Sequence, residues 1–564
     1  MSLIDHRTTL KIMTNLGEQK ETGDEGPLLL AAVQGAEGVS VPFYYDVTML
    51  RRFNPGDINP VLMINTPVSF GMRGDTDRYT YRSGVFQTFR ESGTTDTRFE
   101  TEGGFHNADF RLFKGRIVPR FQLLDDEIRY RVFENMTALQ IIDEVFEGFK
   151  SIIAPNYVSK SLKQQDEKPT PDYHKTIPYC VQFGETSLNF VSRLMTAFGI
   201  CYRFDHDQGP SSNHGKMVLN SETMVMFDPD AFRPAACHEP NMDVVPVVPA
   251  THEIAGFEQI FVPSRKHAWV SDFNMVDPTA TPRGGYTVQR TYNLVDPPAV
   301  TKADAPGPFE REVFPAYLCD PENSTESMAK QAQDRIEDEE TNVFTVQGQC
   351  RNPAFMAGQT FHLNQKARGV MGVGVPAQDN YLVTQLSVSA FENAYGHNFV
   401  PDLVNWLDSP IRWLVSLFRS ENNQVGAFFD PMSVLASNGL SNWSQAPGKV
   451  GNTVKASELS AIGPTLVQAL AQVWISSATK ETKLRHAGRY ANAFMAIPWD
   501  GTTYKLVPNP DAAKPRAYGP HLAIVIGPEG TKDVAAGGST DCYHDPLGRV
   551  RVRFPWQRAV QGAL

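Results

Sequence analysis

Apolar residues recur along this chain at two periods, and the switches between them divide it into blocks. Near the start, Phe43, Tyr45, Val47 and Met49 alternate with Tyr44, Asp46, Thr48 and Leu50, the pattern of a strand with one buried face. Similar runs predict strands over 60–70, 109–113, 117–124 and 128–133, with Gly71, Gly74, Gly103, Gly104, Gly115 and the Asp125–Asp126 pair at the breaks. Several short strands at this spacing predict a barrel or sandwich.

The period then changes. Thr137 and Gln140 form a T-x-x-Q capping box ahead of Leu139, Ile142, Phe146 and Phe149, which share one helical face. A polar loop over 159–175 leads into the most sharply punctuated stretch, 179–207. There Tyr179, Val181 and Phe183 alternate as a strand, and Thr186 or Ser187 supplies an N-cap oxygen. Leu188, Val191, Leu194, Met195 and Phe198 mark a helix ended by Gly199, and Ile200, Tyr202 and Phe204 resume a strand. Further on, 324–341 predicts a helix with Met328, Ala332 and Ile336 buried, and 343–350, 360–364 and 381–390 predict strands of a second barrel. Between 398 and 489, Trp406, Leu407, Trp413, Leu414, Leu417 and Phe418, then Leu466, Leu470, Val473 and Trp474, recur at helical steps. This block reads as a helical subdomain inserted in a surface loop, its WLVSLF cluster either a small core or an interaction or membrane-interface face. At the end, Val550, Val552 and Phe554 alternate with Arg549, Arg551 and Arg553 after a DPLG turn.

Composition narrows the function classes. A chain of 564 residues holds about three to five domains, and 40 prolines and 42 glycines among short alternating runs favour β structure. The net charge of -11 disfavours nucleic acid or an anionic membrane as main partner. Cys180, Cys201, Cys237, Cys319, Cys350 and Cys542 are scattered, so structural zinc is not expected and reduced thiols are, with a Cys180–Cys201 bridge left open. The first 30 residues lack a basic n-region followed by an apolar core, and no run of about 18 apolar residues occurs. Neither a secretory signal nor a membrane span is therefore expected.

Candidate chemistry is thin. Asp205, His206 and Asp207 are adjacent on a strand and point to opposite faces, so they read as a solvated strand end. Cys237, His238 and Glu239 have no second element at metal-ligand spacing and read as loop residues. Gly372, Gly374 and Ala377 echo a dinucleotide loop, but Pro376 and a following strand stand where the helix belongs, and Gly448 and Lys449 lack the rest of a P-loop. Arg549, Arg551 and Arg553 make a basic strand face without aromatic side chains to stack bases. No catalytic, cofactor-binding or metal-ligating residue is expected.

The residues Gln182, Glu185, Leu188, Phe190, Val191, Ser192, Arg193, Leu194, Gly199, Ile200, Tyr202, Phe204 and His206 resemble the signature segment of the VgrG family. These are trimeric spike proteins of the bacterial type VI secretion system, related to the hub and spike of contractile phage tails. FKGRIV at 113–118, the strand-to-helix segment YRVFENMTALQIIDEVF, RKHAWVSDFNMVDP, GQCRNPAFMAGQTFHL, YANAFMAIPWD and DPLGRVRVRFPW follow the family's order, and only the insertion falls outside the resemblance. What it implies is a mainly β fold with α/β elements: two similar β-barrel hub domains, a helical insertion and the start of an OB-fold. The expected divisions are a first barrel over 1–134, an α/β region over 135–280, a second barrel over 281–397 and 490–510 interrupted by the insertion at 398–489, and an OB-fold opening at 511–564. That fold has five strands; the chain supplies about two, and the β-helical needle expected after them is absent, so the chain reads as truncated or degenerate.

The implied function is mechanical. A homotrimer would form a pseudo-sixfold ring on the hexameric (Hcp-like) tube, contact baseplate proteins, and carry effectors or a PAAR-type tip protein through the region beyond the chain. It would be expelled from the bacterial cytoplasm without a signal peptide and puncture target envelopes, with no nucleic acid and no stable membrane insertion. Alternatives are a contractile phage tail or injection-particle hub, a spike carrying an enzymatic domain, and a free-standing OB-type nucleic-acid or glycan binder.

Overall fold

The computed structural model describes residues 9–19, 27–52, 58–73, 79–101, 104–149, 157–162, 172–208, 217–219, 221–228, 234–245, 252–261, 267–271, 283–287, 310–313, 324–341, 344–364, 380–391, 490–499 and short pieces of 506–556. The alternating runs become strands β1 (Leu10–Thr14), β2 (Gly17–Glu18), β3 (Leu29–Gly38), β4 (Val41–Arg52), β5 (Pro67–Arg73), β6 (Tyr79–Thr101) and β7 (Gly104–Val118). They curl in the order β3–β4–β7–β6–β5–β1–β2 into the first barrel, whose ends meet where the Leu30 N–H donates to Gln19 Oε1 at 2.9 Å. Phe43, Tyr45, Val47 and Met49 face the interior as their alternation demands, all fully buried. β3 breaks the alternation: all ten of its residues are buried.

Two expected strands are replaced by tight helices. In 60–70 the Asn59 side chain caps a 3₁₀ turn over Pro60–Met63, and the strand begins only at Pro67. In 117–124 the strand ends at Val118 and Pro119 leads into a 3₁₀ helix, Arg120–Asp126, which buries Phe121, Leu123 and Leu124. A short 3₁₀ helix spaces apolar residues closely enough to imitate alternation.

Next come β8 (Ile128–Thr137), α1 (Ala138–Glu147), β9 (Tyr157–Ser161), β10 (Thr176–Thr186), α2 (Ser187–Ala197), β11 (Cys201–His206) and β12 (Glu222–Phe227). Both bonds of the α1 capping box form: Gln140 N–H to Thr137 Oγ1 at 3.2 Å and Thr137 N–H to Gln140 Oε1 at 2.9 Å. In α2, Thr186 Oγ1 accepts the Asn189 N–H at 3.1 Å, and Gly199 at φ 65 turns the chain out. Phe190, Val191, Leu194 and Met195 are buried, whereas Leu188 and Phe198 sit half-buried at the edges of that face. Cys180 on β10 and Cys201 on β11 belong to different sheets and do not face each other across a ladder.

The remaining elements are β13 (Ala236–Val245), β14 (Glu253–Phe261), β15 (His267–Ser271), β16 (Arg283–Thr287), β17 (Glu310–Val313), α3 (Ser324–Glu340), β18 (Phe344–Cys350), β19 (Thr360–Leu363), β20 (Asn380–Phe391), β21 (Tyr490–Pro498), β22 (Ile524–Val525) and β23 (Val552–Arg553). The order β19–β13–β14–β18–β21–β20 closes on itself through β19–β20, giving a sealed second barrel. β13 and β14 are members of this ring although both precede residue 281, where sequence alone starts the second barrel. α3 packs Met328, Ala332 and Ile336 on Ala268 and Val270 of β15, whose three-stranded sheet β16–β15–β17 is separate from the ring. Ala390 pairs with Tyr490, so the chain between them leaves and re-enters the ring at adjacent strand ends. The insertion itself lies outside the described residues.

Candidate functional site at the seam between the barrels

β3, buried along its whole length, is the strand of the first barrel that meets the second. It pairs with β4 in the first and, antiparallel from Gln385↔Gly38 to Phe391↔Ala32, with β20 of the second, so one ladder runs through the molecule. Close approach sets one residue choice here: a Cβ on Gly35 would lie 2.2 Å from the Tyr44 carbonyl oxygen. At the β3–β4 turn the Val39 N–H donates to Thr384 O at 2.9 Å. Ser40, held at φ 58, donates its N–H to Tyr202 O at 2.7 Å and accepts the Tyr202 N–H on Oγ at 3.1 Å. One turn thus locks β11 and β20 together.

Beneath that turn lies a buried ionic cluster. Arg82 of β6 is fully buried; its Nη2 donates to Glu37 Oε1 at 3.3 Å and to Phe355 O at 2.8 Å, and its Nε to Tyr45 Oη at 3.3 Å. Tyr45 Oη donates to Glu37 Oε2 at 3.1 Å. Since Phe355 lies in the β18–β19 connection, one guanidinium staples β3, β4 and β6 to the second barrel. Burial works against the charge on Arg82, but Glu37 and the phenol oxygens of Tyr45 and Tyr490 more than offset it and raise its pKa. Burial and Glu37 push the Tyr45 phenol well up, so it stays protonated. Beside it, Asn492 donates from Nδ2 to Asn352 O at 2.9 Å and accepts from the Cys350 thiol on Oδ1 at 3.0 Å; burial pushes that thiol up to about 12, an unreactive setting.

The expected solvated strand end is only half right. Asp205 is half exposed and pairs with Arg203 at 3.0 Å, but His206 is buried against Phe43, with ring centroids 5.2 Å apart. Its Nδ1 accepts the Ser83 N–H at 3.2 Å, and burial and the nearby Arg82 charge hold its pKa well below the usual histidine range. The serine offers its backbone, not its hydroxyl, to the imidazole, so the pair lacks a nucleophile-and-base geometry. Arg120 and Glu222 form a second buried ion pair at 2.6 Å, and burial raises the Glu222 pKa despite the arginine. Cys237 is buried on β13. Arg553 is exposed on β23, while Gly372, Gly374, Ala377, Gly448, Lys449, Arg549 and Arg551 lie outside the described residues. Among the described residues no three His, Cys, Asp or Glu side chains converge as a metal site, and no helix is long and apolar enough to cross a membrane.

Sequence reasoning missed the staple. Its signals were Glu37 inside the apolar run 29–39 and Arg82 inside YTYRSGVF, each a charge where a buried strand wants none.

Residues 36–394 match the family model of the phage tail baseplate hub (GPD), a span that begins in β3 and ends just beyond β20. The chain belongs to that family. Among curated relatives it is 28% identical over 182 residues to the type VI secretion system spike protein VgrG1b of Pseudomonas aeruginosa, covering 32% of this chain and 21% of that one. The match therefore spans about a fifth of that relative's length. Among solved structures, an E. coli type VI secretion system component, described as similar to T4 bacteriophage tail proteins gp27 and gp5, aligns at TM-score 0.47 and 14% identity over 96% of this chain and 88% of its own. A VgrG solved in complex with PdpA aligns at TM-score 0.41 and 9% identity, over 92% of this chain and 67% of its own. The resemblance to VgrG is matched by named relatives, and the family's hub match takes in β4–β7 of the first barrel and β13, β14, β18, β19 and β20 of the second.

Proposed function

We propose that this chain is the hub subunit of a type VI secretion spike, a structural part whose work is done by its interfaces. The observation that carries this is the fusion of two barrels through β3 and β20, in a chain whose residues 36–394 match the hub family. Three such subunits would present six barrels in a ring, suited to a hexameric tube beneath it. A buried ionic staple at the seam suits a part that transmits force, because breaking it leaves an uncompensated charge. Trimerisation, seating on the Hcp-like tube, baseplate contacts, carriage of an effector or PAAR-type tip, and release without a signal peptide all belong to this proposal. So does the reading of 511–564 as the opening of an OB-fold and of 398–489 as a helical insertion. The hub of a contractile phage tail is the second reading, favoured by the family's own description.

Light scattering on the 62.7 kDa chain across a concentration series tests the assembly. A mass approaching three subunits is expected as concentration rises, with monomer persisting at the dilute end. A monomer at every concentration would count against it.

A further inference from the structure

The outer face of the β8–β10 ladder is unlike an ordinary solvent-facing strand pair. Its register sets Phe183 opposite Tyr130 and Val181 opposite Val132, while Phe133 and Gln182 point inward and are buried. An antiparallel face turned to water is normally polar. Here Ile128 is 63%, Tyr179 44% and Tyr130 40% exposed, and the chain's own last described segment packs on Phe183 and Tyr130. Trp556 stands edge-on to Phe183 at 5.2 Å and tilted to Tyr130 at 6.3 Å, and Phe554 stacks on Trp556 at 5.0 Å and 11°. His521 closes the set, 5.9 Å from Phe183 and 6.4 Å from Phe554. Trp556 and Phe554 follow β23 and His521 precedes β22, so both strands of that two-stranded sheet are held from one socket.

The backbone prepares the socket. The β8–β10 register slips between Phe183 and Glu185, with Gly184 at φ 62 as the extra residue. A Cβ at Gly184 would stand 2.9 Å from the Tyr130 hydroxyl, so glycine lets the tyrosine ring lie against Phe183, which it meets edge-on at 5.1 Å. The β22–β23 sheet, two residues on each strand, cannot stand alone.

We propose that the aromatic face of β8–β10 is the docking joint that holds the C-terminal strand pair on the hub, and that this pair is ordered only while Trp556 is seated between Tyr130 and Phe183. The joint is intramolecular and does not depend on the spike reading. Edge-to-face and stacked pairs each add to simple burial, and several act together here.

Hydrogen exchange on the full chain tests it. Trp556→Ala is expected to speed exchange at the hydrogen-bonded amides of the β22–β23 pair by about tenfold or more, leaving β3 and β4 unchanged. Gly184→Ala is expected to do the same by displacing Tyr130, Trp556→Phe to restore part of the protection, and Leu522→Ala, at a side chain 88% exposed, to change nothing. Wild-type exchange rates at the β22–β23 amides in Trp556→Ala would overturn the proposal, as would equal loss of protection in β3 and β4, which would make Trp556 part of the hub core.

Discussion

Arg82 is the side chain on which the seam turns, and its energetics are asymmetric. Removing one partner of a buried pair leaves a charge in low dielectric, whereas replacing both with apolar groups of similar size is often near neutral. Glu37→Ala is therefore expected to cost about 3–5 kcal/mol in denaturant unfolding, and the double change Glu37→Leu with Arg82→Met far less than either single change. A loss under about 1 kcal/mol for Glu37→Ala, the range of a surface pair, would remove the staple from the account. His206 gives a pH signature. Its folded pKa lies below the ordinary 6.5, so the unfolded chain binds the proton first, and the stability from keeping it neutral is full above 6.5 and is lost as pH falls. One such group gives a slope of at most about 1.4 kcal/mol per pH unit. Stability measured between pH 7 and 5 should fall less steeply in His206→Gln than in the natural chain. Identical slopes would mean that His206 is not held neutral.

At the scale of elements, the best-read parts were those with local signals. The Thr137–Gln140 box and the Thr186 cap are set by residues three apart, so they were legible, and Thr137→Ala is expected to cost about 1 kcal/mol by thermal or chemical melting. The 3₁₀ helices at 60–63 and 120–126 were misread as strands because Asn59 and Pro119 carry the decision and the apolar spacing does not. Membership of β13 and β14 in the second ring was not legible either, because their partners β18 and β19 lie about a hundred residues downstream and no short-range pattern encodes such a pairing. His206 was misplaced for a related reason. Its burial comes from Phe43 and Ser83, which are remote in sequence.

For the whole molecule, the ladder through β3 and β20 makes the two barrels one body, with a single hydrophobic cluster running from Leu10 in the first to Ala496 in the second. Because β20 and β21 are adjacent antiparallel strands, replacing residues 398–489 by a short Gly/Ser linker is expected to leave the melting temperature close to that of the full chain. A large loss would show that the block supports the ring. The central claim is that this body is the repeating part of a hub ring, and single-particle images of the purified chain at high concentration test it most directly. The account predicts rings with three identical subunits and six similar densities seen down the axis. Isolated two-barrel particles at a concentration where light scattering reports trimer mass, or closed rings of another subunit number, would contradict it.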